Sequence, residues 1–350
     1  MDANSKLGVG VIGIGHWGPN IVRSFATNRR VHLVSVCDAR EAAFAKIAHL
    51  LYNGCRRVTD PSSVFESSDV DAVAIVTPAS THFELVKAAL LAGKHVFCEK
   101  PLALDVDESQ YLCDLADRVG RKLMVGFTFL FNNGIRKVKE FVTANSLGDL
   151  YYLTSVRTHL GLIRADVSSV WDLAPHDVSI MNYLLGTTPE KVSAVGAGPL
   201  GSENADFAFI NLFYPQGIVG QVHVSWLNSS KERILKIIGS KAKVEFDDLN
   251  ALEPVRFYEK GIGFADHVEP DFGSYRYLLR DGNIISPKVE MPEPLGQMIN
   301  AFVQLVLENK QNIADGSFAV EVTRTLVAAH KSMLEHGAPQ ELATLGAIQE

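Results

Sequence analysis

Between residues 7 and 126 the chain alternates short, wholly apolar runs with stretches whose apolar residues recur at helical spacing. The runs are LGVGVIGI at 7–14, HLVSVC at 32–37, AVAIV at 72–76, HVFC at 95–98 and KLMVG at 122–126. A strand that is apolar at every position is buried on both faces, the condition of a parallel sheet covered by crossover helices. Between two of the runs, Phe83, Val86, Leu90 and Leu91 fall on one helical face, with Gly93 placed to stop that helix. The pattern predicts a βαβ array.

After Asn145 the texture changes. DLYYLTSVR at 149–157, FAFINLFY at 207–214, IVGQVHVSW at 218–226, ILKIIGS at 234–240 and KVEF at 243–246 follow one another, separated by breakers such as Pro215-Gln216-Gly217. Consecutive strands without crossover helices pair antiparallel. Two helical stretches, about 295–308 and 318–336, close the chain. The predicted fold is an α/β Rossmann domain with a parallel sheet over 1–125, followed over 126–350 by an α+β domain with a large, mainly antiparallel, open-faced sheet. A length of 350 residues suits two such domains. Helices on one side of the second sheet leave its other face needing cover, and a run as apolar as FAFINLFY points to a partner subunit as that cover.

Composition narrows the function classes. With 47% apolar and 21% charged residues the chain reads as an ordinary globular protein, and it has no apolar window of the ~18 residues needed to span a bilayer. The opening MDANSKLG carries neither a basic leader nor a small-residue cleavage site, so a cytoplasmic location is expected. Cys37, Cys55, Cys98 and Cys113 lack CxxC spacing, and the eleven histidines form no HxxxH or HxH cluster, so neither disulfide nor metal is expected. A formal charge of -7 disfavours nucleic acid as a partner. A small molecule remains.

Gly13-Ile14-Gly15-His16-Trp17-Gly18 is a GxGxxG turn placed directly after a predicted strand and before a predicted helix. Such a turn folds tightly, lets backbone approach a pyrophosphate, and aims helix amides at it. Asp38 ends the second strand, where an acid accepts hydrogen bonds from a ribose diol. Its charge repels the 2′-phosphate of NADP, which favours NAD, although Arg40 stands ready to pair with such a phosphate or to stack on adenine. Thr77, Pro78, Ser80 and His82 follow the strand AVAIV, in the loop that a Rossmann sheet presents to its cofactor, with Ser80 or Thr81 as the expected helix cap.

The candidate chemistry lies further on. Glu99-Lys100-Pro101 ends the next strand, and a lysine held at that edge can exchange protons with, or polarise, a substrate hydroxyl, while a surface Glu-Lys pair is the bland alternative. In WDLAPHD at 171–177, Pro175 is expected at the first helical position, which places His176 in the first turn and Asp172 just before it. A helix N-terminus disfavours imidazolium, so His176 would be neutral and able to accept a proton, with a capping role for Asp172 as the alternative.

In order and spacing, GVGVIGIG, Thr77 to His82, Glu99-Lys100-Pro101 and the Asp172, His176 pair resemble the glucose-fructose oxidoreductase, inositol dehydrogenase and rhizopine-catabolism (Gfo/Idh/MocA) family, over nearly the whole chain. The resemblance implies proton transfer by Lys100 and His176, substrate binding by Asp172 and by Lys100 and His176 themselves, Glu99 and Lys100 beside the cofactor, and dimers or tetramers. Ser168-Ser169-Val170-Trp171 stands where many members carry glycines. With the WGPN extension at 17–20 and the segment around Asn132, it looks more like the nucleotide-sugar 3-dehydrogenases, which oxidise UDP-N-acetylglucosamine. Asn132, and Arg157 on a predicted strand, are then candidates for sugar or diphosphate contact, with a solvated strand position as the alternative for Arg157. The alternatives are a dehydrogenase of a free sugar or inositol, an NADPH-dependent keto-sugar reductase and, in another class, a non-catalytic dinucleotide-binding protein.

Overall fold

The computed structural model describes residues 6–51, 54–161, 163–164, 166–201, 204–264 and 277–342. Contacts divide the chain into two units. One runs to Phe131 and takes up Pro292–Val327 again; the other is formed by Asn132–Met291 and the chain from Ala328 on.

The first unit opens β1 (Leu7–Ile12), α1 (Gly18–Ala26), β2 (Val31–Cys37), β3 (Arg56–Val58), α2 (Ser62–Phe65), β4 (Ala72–Ile75), α3 (His82–Leu91), β5 (His95–Cys98), α4 (Val106–Arg118) and β6 (Leu123–Val125). Its six strands are parallel in the order β3-β2-β1-β4-β5-β6. β1 and β4 are buried at every position, as strands covered on both sides must be. The predicted parallel sheet is therefore present, with β3 added. Arg56 and Arg57 on that edge strand are exposed and carry no apolar signal.

The second unit contains α5 (Asn133–Thr143), β7 (Leu150–Leu160), α6 (Ser169–Leu185), β8 (Lys191–Ala197), β9 (Phe207–Phe213), β10 (Val219–Ser225), β11 (Leu227–Gly239), β12 (Lys243–Asp247), β13 (Val255–Tyr258), β14 (Gly261–Phe264), β15 (Tyr277–Arg280) and β16 (Ile284–Ile285). After α7 (Pro294–Glu308) and α8 (Gly316–Leu334) the chain adds β17 (Gln340–Glu341). Nine strands form one sheet in the order β16-β13-β12-β11-β7-β10-β9-β8-β17, in which β7 and β10 pair parallel and the other neighbours antiparallel; β14 and β15 form a separate ribbon. The sheet is thus mixed, mainly antiparallel.

Alternation gives this sheet two unlike faces. Ala208, Ile210, Leu212, Val222 and Val224 are fully buried on the side where α6 packs. Their alternates include Val195, 50% exposed, and Phe209, 39% exposed and stacked on His223 at 4.4 Å. α6 stops at Gly186 in the left-handed conformation (φ 68°), and Gly93 (φ 73°) does the same after α3, as predicted.

A reading that follows the chain in order places residues 292–327 in the second domain. In the structure they pack with the first. Phe302 of α7 meets Phe25 of α1 and Phe97 of β5 edge-to-face at 6.2 and 5.8 Å, and Phe318 of α8 meets Phe127 at 5.6 Å. Aromatic burial of this kind supplies the largest apolar areas in a core. Among the described residues no helix is long and apolar enough to cross a membrane.

Candidate functional site

The glycine turn of the first unit divides its work among three positions. Gly13 lies at φ 100°, donates its N–H to the Cys37 carbonyl at 2.8 Å, and would put a Cβ 2.6 Å from the Val76 oxygen. A Cβ on Gly18 would fall 2.4 Å from the Gly13 oxygen. Gly15, by contrast, has nothing within 4 Å of where a Cβ would sit. Two glycines close the turn, and the third leaves open space above it at the start of α1.

Asp38 follows β2 and is 8% exposed. Its Oδ2 accepts from the Ile14 N–H at 2.8 Å, and its Oδ1 from the Arg40 N–H and Nε at 3.0 and 3.3 Å. Burial alone would raise this carboxyl, but the Arg40 and Ile14 amides and the Arg40 guanidinium outweigh it and hold it below the usual range. It is therefore an anion at neutral pH. The open space at Gly15, the amides of α1 and this carboxylate fit the pyrophosphate and ribose of a dinucleotide.

β4 and β5 end side by side, with Ile75 opposite Cys98 and the Glu99 N–H donating to the Ile75 carbonyl at 2.9 Å. Thr77 and Pro78 follow β4, with Pro78 and Ser80 exposed. Neither Ser80 nor Thr81 is seen to cap α3. Thr81 flanks the helix without a capping bond, and its hydroxyl instead donates to the Pro78 carbonyl and pairs with the Thr77 hydroxyl, both at 2.7 Å. His82 is 1% exposed, with Nδ1 2.7 Å from the Pro101 carbonyl and Nε2 2.9 Å from the Thr77 carbonyl.

Glu99 is buried beneath Trp17, whose indole N–H donates to Oε1 at 3.2 Å, while the Lys100 N–H lies 3.3 Å from Oε2. A Cβ on Gly126 would sit 2.9 Å from the carboxylate, so that glycine makes its room. Burial pushes the Glu99 carboxyl up to about 7, against the opposing charge of Lys100 and the two donors. The Trp17–Glu99 contact joins residues 82 apart in sequence and escaped the sequence reading. Lys100 is half-buried beside it, and its bond to Pro101 is cis.

The raised Glu99 carboxyl has a consequence for stability. Between pH 4.5, the ordinary value, and about 7, the folded chain keeps a proton that the unfolded chain loses. Stability from this group therefore falls as pH rises through that window, by on the order of 3 kcal/mol in all. Glu99→Gln is expected to remove the loss, so that cofactor-free variant exceeds the parent in urea unfolding at pH 8 but not at pH 4.5. Equal pH responses in the two proteins would refute this.

In the second unit, α6 starts at Ser169 rather than at Pro175. Ser168 is the cap, accepting from the Trp171 N–H at 3.5 Å, and Pro175 lies inside the helix. His176 is therefore beyond the first turn, and a helix-dipole argument for its neutrality, which holds only over that turn, does not apply. Asp172 and His176 instead share a face, being one turn apart, and both are half-buried. Arg164, from the segment before the helix, donates to Asp172 at 3.2 Å and to Asp166 at 3.0 and 2.6 Å. The sequence reading missed Arg164, which stands on no periodic element.

Arg157 and Asn132, read from the sequence as sugar or diphosphate contacts, have structural partners. Arg157, 5% exposed on β7, reaches Asp177 through Nε at 2.6 Å and Nη2 at 3.2 Å, and Ser155 Oγ donates to the same carboxylate at 2.5 Å. Asp177 is the residue after His176, so this pair fastens the α6 turn to the sheet. Asn132, 1% exposed, caps α5 by accepting from the Gly134 N–H at 2.8 Å and donates to Asp248, which Arg233 also holds. His159 shares the Arg157 face of β7; burial, with Arg233, Lys231 and Arg157 nearby, holds its imidazole below the usual range despite Asp172. Strand alternation from Arg157 was the signal that could have found it.

Comparison with known proteins gives a consistent set of likenesses. Residues 7–127 match the profile described as "Oxidoreductase family, NAD-binding Rossmann fold", and residues 135–245 match the GFO/IDH/MocA C-terminal domain. Myo-inositol 2-dehydrogenase of Thermotoga maritima is 27% identical over 269 residues, 72% of this chain and 79% of that one. UDP-N-acetylglucosamine 3-dehydrogenase of Acidithiobacillus ferrooxidans is 29% identical over 255 residues, 73% of this chain and 77% of that one. Among solved structures, GenD2 from gentamicin A biosynthesis, in complex with NAD, superposes with a TM-score of 0.81 at 21% identity, covering 98% of each chain.

Proposed function

We propose, for a chain that belongs to the GFO/IDH/MocA oxidoreductase family, that its reaction is oxidation of the C3 hydroxyl of a nucleotide-linked amino sugar, UDP-N-acetylglucosamine, to the 3-keto sugar. The coarser activity, dehydrogenation of a sugar or inositol, is the family's. The observation that carries the reading is the combination, in one parallel sheet, of a glycine cradle open at Gly15 after β1, an ionised Asp38 after β2 and a lysine at the end of β5. The finer choice of sugar rests on the likeness to the Acidithiobacillus enzyme and on Ser168–Trp171 in place of glycines.

When bound, the nicotinamide supplies the hydride acceptor. The chain supplies orientation and proton handling. Asp38 receives the ribose diol, and its negative charge favours NAD over NADP. Lys100 and His176 carry the proton from the substrate hydroxyl, and Asp172, with its one-turn spacing from His176, holds the sugar. Arg164 fixes the direction in which the Asp172 carboxylate points.

A second reading, oxidation of a free cyclitol, is favoured by the similar likeness to myo-inositol 2-dehydrogenase. Purified protein offered UDP-N-acetylglucosamine, myo-inositol and glucose, each with NAD and with NADP, separates the two. Reduced NAD is expected from the UDP sugar, at a kcat/KM at least about tenfold above that for myo-inositol, a margin worth ~1.4 kcal/mol. Turnover of myo-inositol alone would move the assignment to the cyclitol. Cofactor binding with no turnover on any sugar would leave a non-catalytic binding protein.

The reading includes a homodimer or homotetramer built on the open face of the large sheet. Val195, Phe209 and Tyr152, 50%, 39% and 45% exposed, lie on alternate positions of that face. Phe209→Asp is expected to shift the mass in light scattering toward the monomer. An unchanged oligomer would place the interface elsewhere.

A further inference from the structure

The sheet ladder between β4 and β5 ends at Ile75 and Cys98, with the Glu99 N–H on the Ile75 carbonyl as the last bond across it. Beyond that point the two strands run on into the loops that hold Thr77 and Lys100. Each loop contains a proline, Pro78 and Pro101, which has no N–H to offer a neighbour. A side chain can join these two loops beyond the point where the ladder stops.

His82 does so with one side chain. As the first residue of α3 it is 1% exposed, and its two ring nitrogens face the Pro101 carbonyl at 2.7 Å and the Thr77 carbonyl at 2.9 Å. A ring nitrogen must carry hydrogen to bond a carbonyl, so a ring protonated on both nitrogens serves both loops, while a ring with one N–H sets a lone pair against one of them. The contact spans 19 residues on one side and 5 on the other. Pro101 directly follows Lys100, so whatever fixes the Pro101 carbonyl fixes the peptide that carries the lysine.

We infer that His82 is a positioning residue: by bridging the Thr77 and Pro101 carbonyls it continues the join of β4 to β5 past the end of the ladder and sets where Lys100 stands. The sequence placed His82 among the cofactor contacts. Its buried ring instead serves the loop that bears the proton-transfer group. The role assigned to Lys100 comes from the proposed function, but the bridge itself does not depend on it.

Two variants test this. His82→Phe keeps an aromatic ring and removes both ring nitrogens, and His82→Gln keeps an N–H pair able to reach a carbonyl. In cofactor-free protein, amide hydrogen exchange of the peptide spanning residues 98–104 is expected to quicken at least about tenfold in His82→Phe, with β1 and β2 unchanged and His82→Gln nearer the parent. On the sugar that the parent enzyme turns over, kcat of His82→Phe is expected to fall about 10- to 100-fold with KM for NAD little altered, the effect of a displaced group rather than lost binding. The inference is overturned if exchange in 98–104 is unchanged, if it rises evenly across the whole sheet, or if His82→Gln is as impaired as His82→Phe. Should His82→Phe fail to fold, the smaller His82→Leu, which also lacks a polar group, takes its place with the same expected and overturning exchange patterns. Exchange needs no substrate, so a failed sugar assignment and a failed bridge give different results.

Discussion

Turnover by Lys100→Met is expected to fall by about 10²- to 10⁴-fold, the range lost when a positioned proton-transfer group is removed. Methionine keeps most of the length and apolar stem of lysine and loses only the ammonium. The loop should keep its place, because its anchors are elsewhere: the Glu99 N–H on Ile75, and Pro101 on His82. NAD affinity, read from quenching of the exposed Trp17, should be little changed, since the cradle of Gly13, Gly15 and Gly18 and the Asp38 carboxylate are untouched. A fall in kcat and kcat/KM together marks a group used in the transition state. Undiminished turnover would remove Lys100 from the chemistry.

Arg157→Met is expected to destabilise the fold by about 3 to 5 kcal/mol, the cost of leaving one member of a buried ion pair without the other. Asp177 is 3% exposed and would retain the Ser155 hydroxyl as a neutral donor, too little to offset burial of a charge. The double variant Arg157→Met, Asp177→Asn should recover a large part of the loss, because the uncompensated charge is gone. Urea unfolding of the four proteins of this cycle measures both quantities. Retained stability with a raised KM for the sugar would return Arg157 to the substrate contacts that the sequence indicated.

The two experiments probe opposite kinds of legibility. Lys100 could be picked out of the sequence because its position follows from local facts: an apolar strand, its end, and a proline that restrains the residue before it. The same holds for the glycine turn, where a positive φ at Gly13 and the approach of Gly18 to the Gly13 oxygen demand glycine within the turn itself. Arg157 lies on a strand whose alternation was readable. What was not readable is its occupant across the sheet, since Asp177 belongs to a helix 20 residues away and nothing in the spacing pairs them.

Helix α6 shows how a local rule misplaces a boundary. Pro175 is a strong first-turn signal, and it outweighed Ser168, a good cap seven residues earlier. The structure tolerates proline inside the helix, and the shift moves His176 away from the helix end that had argued for a neutral ring. Asn132 illustrates the converse. Its cap on Gly134 is a local bond, open to a sequence reading, yet the resemblance of its segment to the nucleotide-sugar dehydrogenases drew a functional role instead.

By itself, then, the sequence determined the parallel sheet, the glycine turn with its acid at Asp38, the lysine at a strand end, and a helix that carries His176. Each follows from periodicity, glycine sterics or proline geometry acting over a few residues. Only the tertiary structure decided that α7 returns to the first unit, that Trp17 covers Glu99, that Arg164 meets Asp172 and that Arg157 meets Asp177. Those contacts join residues that chain distance leaves independent, and they form because burial forces polar groups to find partners wherever the packed chain brings one within reach.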